Sequence, residues 1–294
     1  MTETFDDLFV TEKEHRERST FHPYNKDAWL ANKKQEKADA FAMLEEATKA
    51  LAEGPEAFMT YLETQARFDR YSVSNCLLIA KQKPDAVKLA DYNTWKENNI
   101  QVNKGENGIV ILEPGNEYTR EDGTTGVNVN TKKVFDMSQT DAADSIDENK
   151  SYDIRKVLKA LMAESPVDMK IADDLPETVQ GTYKKEDNAI YIRRGMDGNN
   201  IFRTMAYEIC LVKMEQKGDS NAYVAQAATY LLCQRFGIND MLPNFKNSPQ
   251  FFAGKDAKAV RADLERMRSL ANEISQPMMH TLEKAEKVRS DGAR

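Results

Sequence analysis

Asn199-Asn200-Ile201-Phe202-Arg203-Thr204-Met205-Ala206-Tyr207-Glu208-Ile209-Cys210-Leu211-Val212, broken at Lys217-Gly218-Asp219-Ser220 and resumed from Asn221 to Ile238, decides the fold. Ile201, Met205, Ile209 and Val212 recur at three- and four-residue steps, the spacing of one helix face. Val224, Ala228, Leu231 or Leu232, and Phe236 repeat the pattern. Lys217 to Ser220 supplies a stop, a turn and a candidate cap between the two helices. Inside the first helix, Ala206-Tyr207-Glu208-Ile209-Cys210-Leu211 has the frame of the H-E-x-x-H zinc motif with both histidines absent. Two histidines at i and i+4 share a helix face and hold zinc, while the glutamate acts on the bound water. Tyr207 and Leu211 stand in their places.

The helix pair resembles the core of a zincin-like metallopeptidase. Where such enzymes use a carboxylate third ligand from the next helix, the matching position is Gln226. A leucine has no donor atom, and a phenol and a neutral amide are poor zinc ligands. Spacing alone favours an ordinary structural helix, because x-Glu-x-x-x is a common helical run.

The 294 residues suffice for one large domain or two ordinary ones, and 40% apolar content supports a real core. Charged residues at 30% and a mean hydropathy of -0.67 fit a soluble protein. No apolar run approaches roughly 18 residues, so no membrane span is expected. Met1 to Asp7 is acidic and lacks the basic-then-apolar order of a secretory signal. Cys76, Cys210 and Cys233 lie scattered in apolar helical contexts. They read as buried thiols in a reducing cytoplasm, the expected location. The net charge of -7 gives no overall basic excess, so DNA binding would need a local basic face.

The fold class expected is α+β in two domains, since helices mix with short, hairpin-linked strands. Residues 1–34 read as a flexible lead-in, with His15 and His22 as surface residues and Trp29 as an anchor. Residues 35–140 form the first domain. It has helices over Lys37–Ala52, Glu56–Phe68 and Tyr71–Ala80, then a helical turn around Trp95. A strand Ile109–Leu112 is halted by Pro114, and a hairpin with tip Glu121-Asp122-Gly123 returns along Lys133–Met137. Residues 141–150 form an acidic linker. Residues 151–276 form the second domain, with a helix over Tyr152–Glu164, a strand near Met169–Ile171, a hairpin over Gly181–Ile192 and then the helix pair. A last helix, capped by Asp256, ends or bends at Pro277, and residues 277–294 are a charged tail.

Several separated motifs stand in order: Tyr71-Ser72-x-x-Asn75-x-x-Leu78-Ile79, Trp95, Val102-x-Lys104-Gly105-Glu106-x-Gly108-Ile109, and Val134-Phe135-Asp136-Met137-Ser138-Gln139-Thr140. Tyr230 to Gly237 and Gly254-Lys255-Asp256-Ala257 follow. Over about residues 40 to 275 the chain resembles the ArdC-like antirestriction proteins, in their LtrC-like branch of bacterial mobile elements. That resemblance implies an N-terminal domain that binds single-stranded DNA, followed by a zincin-like metallopeptidase domain. Members with an intact site carry His, His and Glu where this chain has Tyr207, Leu211 and Gln226, so no cofactor and no peptidase activity are expected. Glu208 remains, without a metal-bound water to act on.

Single strands are held by bases stacked on aromatic rings and by cations along the phosphates. Tyr71, Tyr92 and Trp95 offer rings, and Arg67, Arg70, Lys81, Lys83, Lys88, Lys96 and Lys104 offer cations. The set chosen as the DNA-binding site is Arg70, Tyr71, Asn75, Trp95, Lys96, Lys104 and Gly105. Lys104-Gly105 is the most suggestive pair, since glycine lets backbone approach a phosphate that the lysine neutralises. Core packing for Trp95, a helix-end bond for Tyr71 and Asn75, and a solvated turn at Lys104 remain open beside these roles. The function expected is a single-stranded-DNA-binding antirestriction-type protein with a dead peptidase domain. The alternative is a protein-interaction module whose cleft grips a host polypeptide, and the minor alternative is an active zinc metallopeptidase.

Overall fold

The computed structural model describes residues 26–120, 122–145, 152–240 and 245–292. His15, His22 and the second half of the acidic linker, residues 146–150, lie outside the described residues. The first part opens with α1 (Lys26–Ala50), α2 (Pro55–Arg67) and α3 (Val73–Gln82). Then come β1 (Leu89–Ala90), α4 (Tyr92–Glu97) and the long hairpin of β2 (Ile109–Thr119) and β3 (Thr125–Asp136). The second part holds α5 (Ile154–Ala163), β4 (Asp168–Ala172), β5 (Gly181–Lys184), β6 (Ala189–Arg193), α6 (Gly198–Gln216), α7 (Ala222–Arg235), α8 (Ser248–Phe252) and α9 (Ala257–Gly292). The class is α+β, with two small sheets ordered β1-β3-β2 and β4-β6-β5. The first is antiparallel; in the second, β4 runs parallel and β5 antiparallel to β6.

Three expectations need correction. Part of the presumed lead-in is helix, because α1 begins at Lys26. Its first half is exposed nearly all round, so no apolar periodicity betrays it. Trp29 is 47% exposed and faces a groove shared with Val110 and Lys133. Pro114 does not halt β2, which continues to Thr119 past a register shift between Pro114 and Glu117. Pro277 does not end α9, whose Met278 and Leu282 are buried beyond it.

α7 is the centre of the packing. Nine of its residues are buried, and α2, α6 and α9 all pack against it. Ala225, Ala227 and Ala228 leave room for neighbours to come close on several sides, the pattern of a helix apolar all round. α6 starts where the Asp197 carboxylate accepts the Asn200 N–H at 2.9 Å. Asn221, not Ser220, caps α7, accepting from the N–H groups of Tyr223 and Val224. Asp256 caps α9 as expected, accepting from Ala259 N–H at 2.7 Å.

One apolar cluster runs without interruption through both parts, from Leu44, Phe58 and Leu78 to Phe202, Leu231 and Leu264. Phe58 of α2 meets Phe245 and Phe252 edge-on, at 5.2 and 5.3 Å between ring centres. The Arg268 guanidinium of α9 donates to the Tyr71 carbonyl at 2.9 Å. The expected domains thus share one core.

Candidate functional site

The second part forms an open cleft of about 800 Å³ between β5, α6 and α7, lined among others by Gln180, Gly181, Thr204, Tyr207, Glu208 and Gln226. Three of the four residues matching the peptidase motif are therefore brought together. Leu211, one turn beyond Tyr207, is half-buried and packs against the core. Glu208 is buried at 9% exposure, and its Oε2 accepts the backbone N–H of Tyr183 at 3.0 Å. Burial raises its carboxyl above the usual range, and the Tyr183 bond opposes that only in part. The Tyr207 phenol is also pushed up, by burial first and by the neighbouring Glu208 charge second.

The zinc that the resemblance implies does not fit these residues. Leu211 offers no donor atom, Gln226 is a neutral amide and Tyr207 is biased toward its protonated form. The one carboxylate, Glu208, is engaged by a backbone amide. Among the described residues no group of three or more His, Cys, Asp or Glu is placed to hold a metal. No helix among them is long and apolar enough to cross a membrane.

The seven residues expected to touch DNA part company in the structure. Trp95 is 2% exposed, and its indole N–H donates to the Phe135 carbonyl at 3.0 Å. Its ring is core and offers no stacking face, which corrects that expectation. Asn75 is also taken: its side-chain N–H donates to the Leu112 carbonyl and its Oδ1 accepts the Leu112 N–H, both at 2.8 Å. Two helical turns on, Gln82 repeats the bond pair with Val110, both at 2.9 Å. The two amides thus close the outer edge of β2 from α3. Gln82 went unread, although a second amide at i+7 on an apolar helix was a legible sign.

Tyr71 is half-buried with its ring edge-on to Phe68 at 5.7 Å. Arg70, Lys96, Lys104 and Gly105 are exposed. Gly105 has φ +91°, in the left-handed region that glycine tolerates. With Gln82 and Lys83 it lines a polar groove of about 520 Å³. Arg70 and Lys83 flank the two ends of α3, so the two cationic ends lie roughly 15 Å apart at 1.5 Å per residue. Of the other cations, Arg67 donates to the Ala86 and Pro84 carbonyls, Lys81 pairs with Glu46, and Lys88 sits 5.8 Å from the Trp95 ring. The ring that does face solvent is Tyr92, 56% exposed and one turn before Lys96 on α4.

The Asp136–Gln139 stretch is a structural knot. Asp136 is fully buried, and its carboxylate accepts from the N–H groups of Val87, Lys88 and Ser138. Gln139 donates to Glu106 and to the Asn107 carbonyl, fixing the turn that carries Lys104 and Gly105.

The family model for the N-terminal domain of anti-restriction factor ArdC matches residues 22–160. Over that stretch, just under half of its length, the chain is ArdC-like. The match runs past the expected boundary near 140 and takes in most of α5, in keeping with the shared core of this ArdC-like chain. No curated protein matches it. Two crystal structures of the antirestriction ArdC protein from plasmid R388 are similar to it. The metal-free one shares 18% identity, covering 83% of this chain and 98% of that one, with a TM-score of 0.49. The Mn(II)-bound one shares 19% identity, covering 73% and 84%, with a TM-score of 0.44.

Proposed function

We propose that this ArdC-like chain binds single-stranded DNA through its first part, in an antirestriction role, and that its second part is a peptidase-like scaffold without hydrolytic activity. The observation that carries the first half is the ArdC N-terminal domain over residues 22–160. Exposed Arg70, Lys96 and Lys104 supply cations, and Tyr92 supplies a ring in place of Trp95. The second half is supported by Leu211 and by the Glu208 carboxylate held on the Tyr183 amide.

The test is anisotropy of a labelled single-stranded oligonucleotide at low salt. Binding is expected, weakened by Lys104→Ala and by Tyr92→Ala. Each lost phosphate contact lowers the salt slope by about 0.7. No binding at low salt overturns the DNA reading. One equivalent of zinc retained in the cleft, together with peptide cleavage, overturns the other half.

A second reading, the grip on a host polypeptide, draws on the edge of β5. Arg193 N–H donates to the Gln180 carbonyl, which directs the backbone groups of Gln180, Thr182 and Lys184 toward β6. The N–H and C=O of Gly181 then face the cleft, where an extended chain could pair with them. Binding of a host polypeptide with no DNA binding would favour this reading.

A further inference from the structure

The opposite edge of the same sheet carries an inference independent of both readings above. Arg194 N–H donates to the Ala172 carbonyl at 3.1 Å, and Ala172 pairs with Arg193 in the parallel register of β4 and β6. Alternation along a strand then turns the backbone groups of Asp168, Lys170 and Ala172 toward β6. Those of Met169 and Ile171 turn outward, and among the described residues no backbone bond reaches them. The side chains beside this edge are apolar without being buried. Ile171 is 54% exposed, Met162 at the end of α5 is 50% exposed, and Met169 is only half-buried. A mixed groove of about 440 Å³, lined by Met162, Val167 and Met169 and by the polar Ser165, Asp168 and Asn188, runs alongside. Lys170 is exposed on the other face of β4, with its Nζ 5.6 Å from the Tyr191 ring and exposed Asp168 two residues before it.

We infer that β4 is a docking edge for an extended segment of a partner polypeptide that carries one acidic residue between two apolar ones. Two apolar side chains of the incoming strand lie beside Met169 and Ile171 and continue the inner layer under Met162. The residue between them falls opposite Lys170, where a carboxylate gains and a cation loses. Antiparallel pairing of β4 with itself centred on Lys170 sets Lys170 against Lys170 of the copy, at the close spacing of a non-hydrogen-bonded pair, whereas the register centred on Met169 sets it against Asp168 of the copy, so a second copy is the competing occupant that sedimentation distinguishes. A lysine at that position is also a known guard against edge-to-edge association.

The probe is a fluorescein-labelled, end-capped peptide with a Val-Glu-Val core between threonines, titrated with the full chain and followed by anisotropy, beside its Val-Lys-Val twin. The Glu peptide is expected to bind and the Lys peptide to bind less. Lys170→Glu should reverse that order, weakening the Glu peptide roughly tenfold as one cross-strand attraction becomes a repulsion. Ile171→Pro should abolish binding. Its lost N–H faces outward, so the ladder to β6 survives and circular dichroism should be unchanged. Three outcomes would each overturn the inference: no binding of the Glu peptide at millimolar protein, equal binding by both Lys170 forms, or an Ile171→Pro-sensitive dimer in sedimentation.

Discussion

Asn75→Ala tests the reading of α3 as the cover of an open sheet edge. Asn75 is 8% exposed and serves both backbone groups of Leu112 at 2.8 Å. Each such bond contributes about 0.5–1.5 kcal/mol net, and a buried partner left unpaired costs about 1–3 kcal/mol. Two bonds with incomplete rescue by water give a predicted loss of roughly 2–4 kcal/mol. Gln82 makes the same bonds to Val110, but it lines the open groove beside Lys104, where water replaces it. Gln82→Ala should therefore cost only about 1 kcal/mol. Asn75→Asp keeps the acceptor for the Leu112 N–H but sets a carboxylate against the Leu112 carbonyl, so it should be no better than alanine. Urea midpoints give the energies, and amide exchange at Leu112 gives the location. A loss under about 0.5 kcal/mol for Asn75→Ala, or a Leu112 amide that exchanges no faster, refutes the reasoning.

The remaining predictions concern Glu208, Trp95 and Arg235. Burial raises the Glu208 carboxyl above its unfolded value. Between those two values the folded state holds a proton the unfolded chain has lost, so wild-type stability falls as pH rises through that interval and stays lower above it. Glu208→Gln keeps an acceptor for the Tyr183 N–H and lacks that loss. Its stability relative to wild type should rise from pH 4 to pH 7, read by thermal melts. Trp95→Phe should cost about 2 kcal/mol in urea unfolding by removing the donor to the Phe135 carbonyl, whereas Tyr92→Ala should leave the midpoint unchanged. Among the described residues the Nε and Nη2 of Arg235 are buried without hydrogen-bond partners, and burial lowers its pKa to about 10. Arg235→Met should have a stability within about 1 kcal/mol of wild type or above it, since the bond to Ser275 and the attraction of Asp69 only partly offset the buried charge.

How legible each piece was follows from how local its cause is. The α6–α7 pair and the β5–β6 hairpin were readable because their periodicity, caps and turns lie within a few residues. Gly218, at φ +75° between the helices, is such a local sign. Pro114 misled because its cost depends on which way its missing N–H would point. The groups of Val110 and Leu112 face outward to Gln82 and Asn75, and the same alternation puts the absent donor of Pro114 on the outer edge, where no ladder bond is lost. Pro277 misled for a related reason. It is exposed, and the carbonyl it leaves unpaired one turn back, on exposed Glu273, is open to water, while Met278 and Leu282 hold the helix onward.

The candidate site divides along the same line. An aromatic ring or an amide on an apolar helix can serve a ligand or the protein's own backbone, and the two uses have identical local sequence. Asn75 meets its partner 37 residues away and Trp95 meets its own 40 away. Neither separation could be read from spacing. Lys104 and Gly105, at a turn, are the converse case, since their exposure follows from local turn chemistry. Lys104 and Gly105 remain exposed where the sequence put them, on a turn that Gln139 fixes from 32 residues on. The DNA contacts proposed for this part therefore rest on exposed Arg70, Lys96, Lys104 and Tyr92. Substituting the buried pair would change affinity only through loss of fold.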